Sequence, residues 1–175
     1  TGASVGKFLG TERMMKSGLG IYAVQLGKIK CGAVAAVNSL GDIVDYDTKK
    51  VIAGILSEDR KSLSCTKKIM YQEIERPRNV FTGNTTVGCV VTNAKLDKDQ
   101  ACKLASIAHN GYARTIEPVH TAADGDTVFV MSTGEEKAAF DPLSALVSEV
   151  TGRAVNNAVK NAKPAYGLPA ACDFR

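Results

Sequence analysis

Apolar positions gather early in the chain into two blocks. Residues 19 to 27, Leu-Gly-Ile-Tyr-Ala-Val-Gln-Leu-Gly, and 31 to 38, Cys-Gly-Ala-Val-Ala-Ala-Val-Asn, read as strands joined by a short Lys-Ile-Lys connection. Alanine and glycine hold many of their inner positions, so another layer can approach closely, and strands covered on both faces are expected. A third short strand is expected over Val51 to Leu56, after a turn at Gly41-Asp42. Residues 57 to 80 are charged and nearly aperiodic, with Pro77 near the end, and read as a loop or linker.

Beyond Thr85 the pattern changes. The run to Val91 reads as a buried strand, and Lys98 to Arg114 carries helical spacing through Cys102, Leu104, Ala105, Ala108 and Tyr112, with Asp97 as its N-cap. Thr127 to Met131 forms another strand, introduced by Asp124-Gly125-Asp126. Asp141-Pro142 offers an N-cap and a first-turn proline to a second helix that ends near Ala162. Its apolar stripe is Leu143, Leu146, Val147, Val150, Ala154 and Val155. Strands followed by strand, helix, strand and helix predict a layered α/β domain.

Composition narrows the class. The 175 residues suit one soluble domain, with 45% hydrophobic and 23% charged residues. A net charge of +4 is spread over scattered pairs such as Lys49-Lys50, Arg60-Lys61 and Lys67-Lys68, a solvated surface rather than a nucleic-acid patch. The five cysteines show no C-x-x-C spacing, which argues against a disulfide framework and against a zinc site. Cys89 and Cys102 fall within apolar patterns and are expected in the core. Neither a membrane-length apolar run nor a signal core is evident, so a cytoplasmic protein is expected.

Chemistry concentrates at Gly83-Asn84-Thr85-Thr86. If the Asn84-Thr85 bond breaks, Thr85 carries a hydroxyl nucleophile and an α-amino base on one residue, and that amine has an unperturbed pKa of about 7.7 to 8.0. The same four residues also suit a turn feeding a strand, and they match a glycosylation sequon that lacks a secretory context. Asp124 and Asp126 suit a turn equally well, or a coupled pair of carboxylates that orients a cation. Thr1-Gly2-Ala3-Ser4-Val5-Gly6-Lys7 fails the phosphate-loop pattern, which leaves Lys7 as a surface lysine or a functional cation close to backbone. Asn38 suits either a turn cap or an oxyanion donor. His109 and His120, without a second ligand at metal spacing, read as capping or core-edge residues rather than catalysts.

Taken in order, these stretches resemble the P1 peptidase family, which contains the DmpA-type aminopeptidases and the nylon-oligomer hydrolases. The resemblance rests on Gly2 to Lys7, Gly18-Leu19-Gly20, Ala35 to Asp42, Gly83 to Thr86, Thr92 to Leu96, Ala113 to Thr121 and Asp124 to Phe129, and covers most of residues 1 to 134. The Asn-Thr-Thr junction and the Asp-Gly-Asp pair are nearer the nylon-oligomer branch than the branch with a serine nucleophile.

The resemblance implies an αββα sandwich like that of N-terminal nucleophile hydrolases, and a precursor that cuts itself between Asn84 and Thr85. Residues 1–84 then form the end of an α piece and residues 85–175 a β piece, together one domain. It also implies Thr85 as nucleophile, Asp124 and Asp126 as the carboxylates that position it, Lys7 as active-site cation and Asn38 as oxyanion donor. An amide hydrolase or aminopeptidase without cofactor or metal is expected, acting on a linear amide or small peptide and assembling as a homo-oligomer. The other reading is an uncleaved relative that serves as a binding or assembly subunit. Precursors of the family carry a long segment upstream of Thr1, so this stretch alone is expected to expose part of its core.

Overall fold

The computed structural model describes residues 2–76 and 83–174. Thr1 and the end of the expected linker, residues 77–80, lie outside the described residues. Two short strands, β1 (Ser4–Val5) and β2 (Met15–Lys16), pair with each other. The hairpin follows as β3 (Leu19–Leu26) and β4 (Ile29–Ala36). Its turn is Gly27-Lys28, with Gly27 at a φ of 58°. That left-handed conformation suits glycine and matches the twist of a two-residue hairpin. Ile29 and Lys30 therefore belong to the strand, not to the connection.

Next come β5 (Asp42–Val44), β6 (Val51–Ala53) and a helix, α1 (Thr66–Gln72). The helix corrects the expectation of a structureless linker over residues 57 to 80. Its anchor is remote in sequence: Asp42 accepts hydrogen bonds from Thr66 N at 2.7 Å, Thr66 Oγ1 at 2.6 Å and Ile55 N at 2.8 Å. One of the free amides that every helix start leaves is thus satisfied by a carboxylate, which also suits the positive end of the helix dipole.

The second half contains β7 (Val87–Ala94), α2 (Lys98–Ala113), β8 (Ile116–Glu117), β9 (Thr127–Glu136), α3 (Phe140–Lys160) and a short 3-10 turn, Ala171–Phe174. Asp97 caps α2 as expected, in a reciprocal box with Gln100. The start of α3 differs from the sequence reading. Its N-cap is Ala139 and makes no side-chain cap bond, so Asp141 lies in the first turn, where its charge still complements the dipole.

The main sheet has the order β3-β4-β7-β9, and β7 and β9 run parallel across the α2 crossover. The two strands before Asn84 and the two after it lie side by side in one hydrogen-bonded layer and meet at the β4–β7 pair. A smaller sheet has the order β6-β5-β8.

Helices α2 and α3 cover one face of the main sheet. Cys31, Ala33, Ala35, Val90 and Val128 meet Leu104, Ala108, Tyr112, Val147, Val150, Ala154 and Ala158 there. Full burial of each larger side chain contributes about 1.5 to 3 kcal/mol. The small residues read from the sequence serve this close approach: a Cβ at Gly20 would lie 1.9 Å from Ala154 O.

The opposite face is bare among the described residues, contrary to the expectation of cover on both sides. Leu19, Ile21, Val87, Val91, Phe129 and Met131 remain exposed on it, Ile21 at 62% and Met131 at 60%. The strand after Thr85 therefore alternates between faces instead of being buried throughout. Cys31 is the buried cysteine, whereas Cys89 is half-buried and Cys102 exposed, which corrects the core assignment of the last two. No helix among the described residues is long and apolar enough to cross a membrane.

Candidate active site

Gly83 to Thr86 runs along the end of the main sheet, held between the exit of β4 and the turn that leads into β9. Asn84 extends the parallel ladder as a bridge to Asp124, and Thr127 N donates to Thr86 O at 3.0 Å. On the other side Thr85 N donates to Asn38 O at 2.9 Å. The junction is thus pinned by backbone bonds on both flanks, so the Thr85 side chain has a defined place.

Two donors converge on the carbonyl of Asn84. Its oxygen accepts Gly125 N–H at 2.9 Å and the Thr85 hydroxyl at 2.5 Å. The fit around that hydroxyl is close, because a Cβ at Gly125 would sit 2.8 Å from Thr85 Oγ1.

Lys7 reaches the same junction from the loop after β1, where its N–H bonds Leu40 O and its side chain is 1% exposed. Nζ donates to Asn38 O and to Gly83 O, each at 3.0 Å. Burial lowers the lysine pKa to about 8, with the nearby Asp124 charge opposing that shift. Asn38 donates its amide to Gly83 O at 2.7 Å and accepts Ser4 N–H on Oδ1 at 3.2 Å. Its amide therefore meets the carbonyl one residue upstream of Asn84.

The two carboxylates sit on the turn facing Thr85 and Thr86. Asp126 Oδ1 accepts Thr86 N–H at 2.8 Å, and Oδ2 lies 3.0 Å from His120 Nδ1. Asp124 Oδ2 accepts both the amide and the hydroxyl of Thr121, at 2.9 and 2.7 Å. Its Oδ1 is buried and has no hydrogen-bond partner among the described residues.

Lys7, Asn38, Asn84, Thr85, Asp124 and Asp126 are thus drawn into one neighbourhood. Sequence reasoning missed the Gly125 amide, the Gly83 carbonyl, Thr121 and the engagement of His120. Only His120 and Thr121 left a signal, by closing the Pro118-Val119-His120-Thr121 stretch three residues before Asp124.

A mixed sheet layered with helices, with a hydroxyl residue just ahead of a central strand, is one half of the αββα sandwich of N-terminal nucleophile hydrolases. The L-aminopeptidase D-Ala-esterase/amidase of Ochrobactrum anthropi, described as a variant of that fold, superimposes with a TM-score of 0.55. The match has 17% identity and covers 85% of this chain and 41% of that one.

The model of peptidase family S58 matches residues 2–171, and the chain belongs to that family. The resemblance drawn from the sequence is borne out. An uncharacterised aminopeptidase of Mycobacterium leprae is 34% identical over 98% of this chain and 51% of its own length. A 6-aminohexanoate-oligomer endohydrolase of Kocuria sp. is 29% identical over 90% of this chain and 48% of its own. The chain spans about half the length of these curated relatives.

Proposed function

We propose that this chain is the self-processing, nucleophile-bearing part of an amide hydrolase, and that Thr85 serves both its maturation and its turnover. One observation carries the reading: the Asn84 carbonyl oxygen is held by Gly125 N–H while the Thr85 hydroxyl lies against it. Addition of Thr85 Oγ to the Asn84 carbonyl carbon places negative charge on that oxygen, where Gly125 N–H stabilises it. The Asn84–Thr85 C–N bond then breaks, the hydroxyl proton passes to the leaving nitrogen, and an ester joins Asn84 to Thr85 Oγ. Water hydrolyses the ester to an Asn84 carboxylate and a free Thr85 amine and hydroxyl.

The same contacts serve the mature enzyme. Departure of Gly83 and Asn84 removes the Gly83 carbonyl from Lys7 Nζ and from the Asn38 amide, and a substrate carbonyl takes its place while Lys7 Nζ keeps its bond to Asn38 O. The Asn38 carbonyl keeps its bond to the Thr85 nitrogen, now an amine that takes the hydroxyl proton. Asp124 and Asp126 fix the turn that presents Gly125. Substrates are linear amides or small peptides, the class common to the names of the relatives: aminopeptidase and 6-aminohexanoate-oligomer endohydrolase.

Incubation with linear aminohexanoate oligomers and amino-acid anilides, followed by rapid quench and mass spectrometry, tests the reading. An acyl adduct on the fragment that begins at Thr85 is expected. Turnover that persists in Thr85→Ala would assign the chemistry to another residue.

A further inference from the structure

The loop between β8 and β9 carries a histidine that the reaction above does not use. His120 adopts a φ of 54°, in the left-handed region that residues other than glycine enter uncommonly, His, Asn and Asp more readily than the rest. Its Nδ1 lies 3.0 Å from Asp126 Oδ2. That oxygen is buried and has no hydrogen-bond partner among the described residues, so the polar group drawn up to it is the His120 ring nitrogen, in an ion-pair contact. The Asp126 side chain is 2% exposed, whereas His120 is 39% exposed. From α2, the ring of His109 meets the His120 ring edge-on at 4.8 Å between centroids, and Tyr112 stands 6.3 Å away. His120 is thus clamped between an aromatic wall and a carboxylate.

We propose that His120 is a positioning residue: the close approach of its Nδ1 to Asp126 Oδ2 pins the carboxylate, so that the other oxygen holds Thr86 N–H and thereby sets Thr85 over the Asn84 carbonyl. The inference rests on the reaction proposed above for its rate readout. A carboxylate held through one oxygen alone retains rotational freedom about its terminal torsion, and a close polar contact at the second oxygen restricts it. Thr86 directly follows the nucleophile, so any slack in its amide anchor passes to the Thr85 hydroxyl. Residues kept in sparsely populated backbone conformations gather where the surroundings enforce them, and here the strained backbone delivers the ring to Asp126.

Glycine and asparagine at position 120 separate backbone from donor. Both tolerate the left-handed conformation, and only asparagine places an N–H where Nδ1 now lies. His120→Gly should fold normally, exchange the Thr86 amide hydrogen about tenfold faster and cleave itself about tenfold more slowly, the scale of one close polar contact to a buried carboxylate. His120→Asn should restore both within about threefold. In an Asp126→Asn background, His120→Gly should add nothing further, a comparison that remains readable if the single glycine variant folds poorly.

Unchanged Thr86 exchange in His120→Gly, equal slowing by glycine and asparagine, or additive effects with Asp126→Asn would each overturn the proposal. Amide exchange is read whether or not the chain cuts itself. A parent that never cleaves but shows the Thr86 response would contradict the Thr85 reaction and leave the positioning role supported.

Discussion

Two buried carboxylate clusters in this chain are built to opposite specifications. Asp42, 1% exposed, spends both oxygens on Ile55 N, Thr66 N and Thr66 Oγ1, and so locks the end of the β4–β5 connection to the start of α1. The cluster beside Thr85 is left open: neither Asp124 Oδ1 nor Asp126 Oδ2 has a hydrogen-bond partner among the described residues, and Oδ2 meets His120 Nδ1 in an ion-pair contact at 3.0 Å. Burial even pushes the Asp42 carboxyl up to about 6, yet every donor around it is matched. A saturated polar cluster specifies structure, whereas an unsaturated one beside a reactive hydroxyl keeps capacity for charge that forms during reaction. Substitutions in the first should move stability without chemistry, and substitutions in the second the reverse.

The sharpest break comes from Thr85→Ala. Self-cleavage should fall below detection, by more than about a thousandfold, because the nucleophile is gone. The urea midpoint should shift by the equivalent of no more than about 0.5 kcal/mol, as for a substitution outside the core. A large loss of stability would make Thr85 part of the scaffold. Asp42→Ala is the mirror image. It leaves buried donors unmatched and should cost about 3 kcal/mol of unfolding free energy, with the cleavage rate of the folded fraction unchanged. Slowed cleavage in fully folded Asp42→Ala would erase the distinction.

Gly125→Ala sharpens it further. The new Cβ would stand 2.8 Å from Thr85 Oγ1, so the hydroxyl must shift, and cleavage should slow by about a hundredfold with little change in midpoint. An unaltered rate would remove Gly125 from the reaction.

The smallest effect is in pH. Lys7 acts here as a cation, and its folded pKa is about 8 against an ordinary 10.5. The cleavage rate should hold below pH 8 and fall about tenfold per unit above it as the charge is lost. Stability should move the other way over the same window. The unfolded chain binds more protons there, so the Lys7 contribution to stability grows as pH rises from 8 to 10.5. A cleavage rate that climbs through pH 8 would make Lys7 a neutral base instead.

What was legible in the sequence follows the range of the forces involved. The Asp97 cap and the apolar stripe of α3 are local patterns, and both were readable. Helix α1 was not, because its first amide is held by a carboxylate 24 residues away. The bare face was misread because Leu19, Ile21, Phe129 and Met131 are as apolar as residues that are covered. At the site, side chains with a chemical signature could be named in advance. The Gly125 amide and the Gly83 carbonyl could not, since backbone groups carry no letter of their own. His120 reads from the sequence as a capping or core-edge residue because its partner becomes visible only when the left-handed backbone brings its ring to Asp126.

The central claim is the bond between Asn84 and Thr85, and intact mass under denaturing conditions after prolonged incubation tests it most directly. The account predicts two fragments that meet there, one ending in Asn84 and the other beginning with a free Thr85 amine. A single uncut mass, or fragments that meet elsewhere, would contradict it.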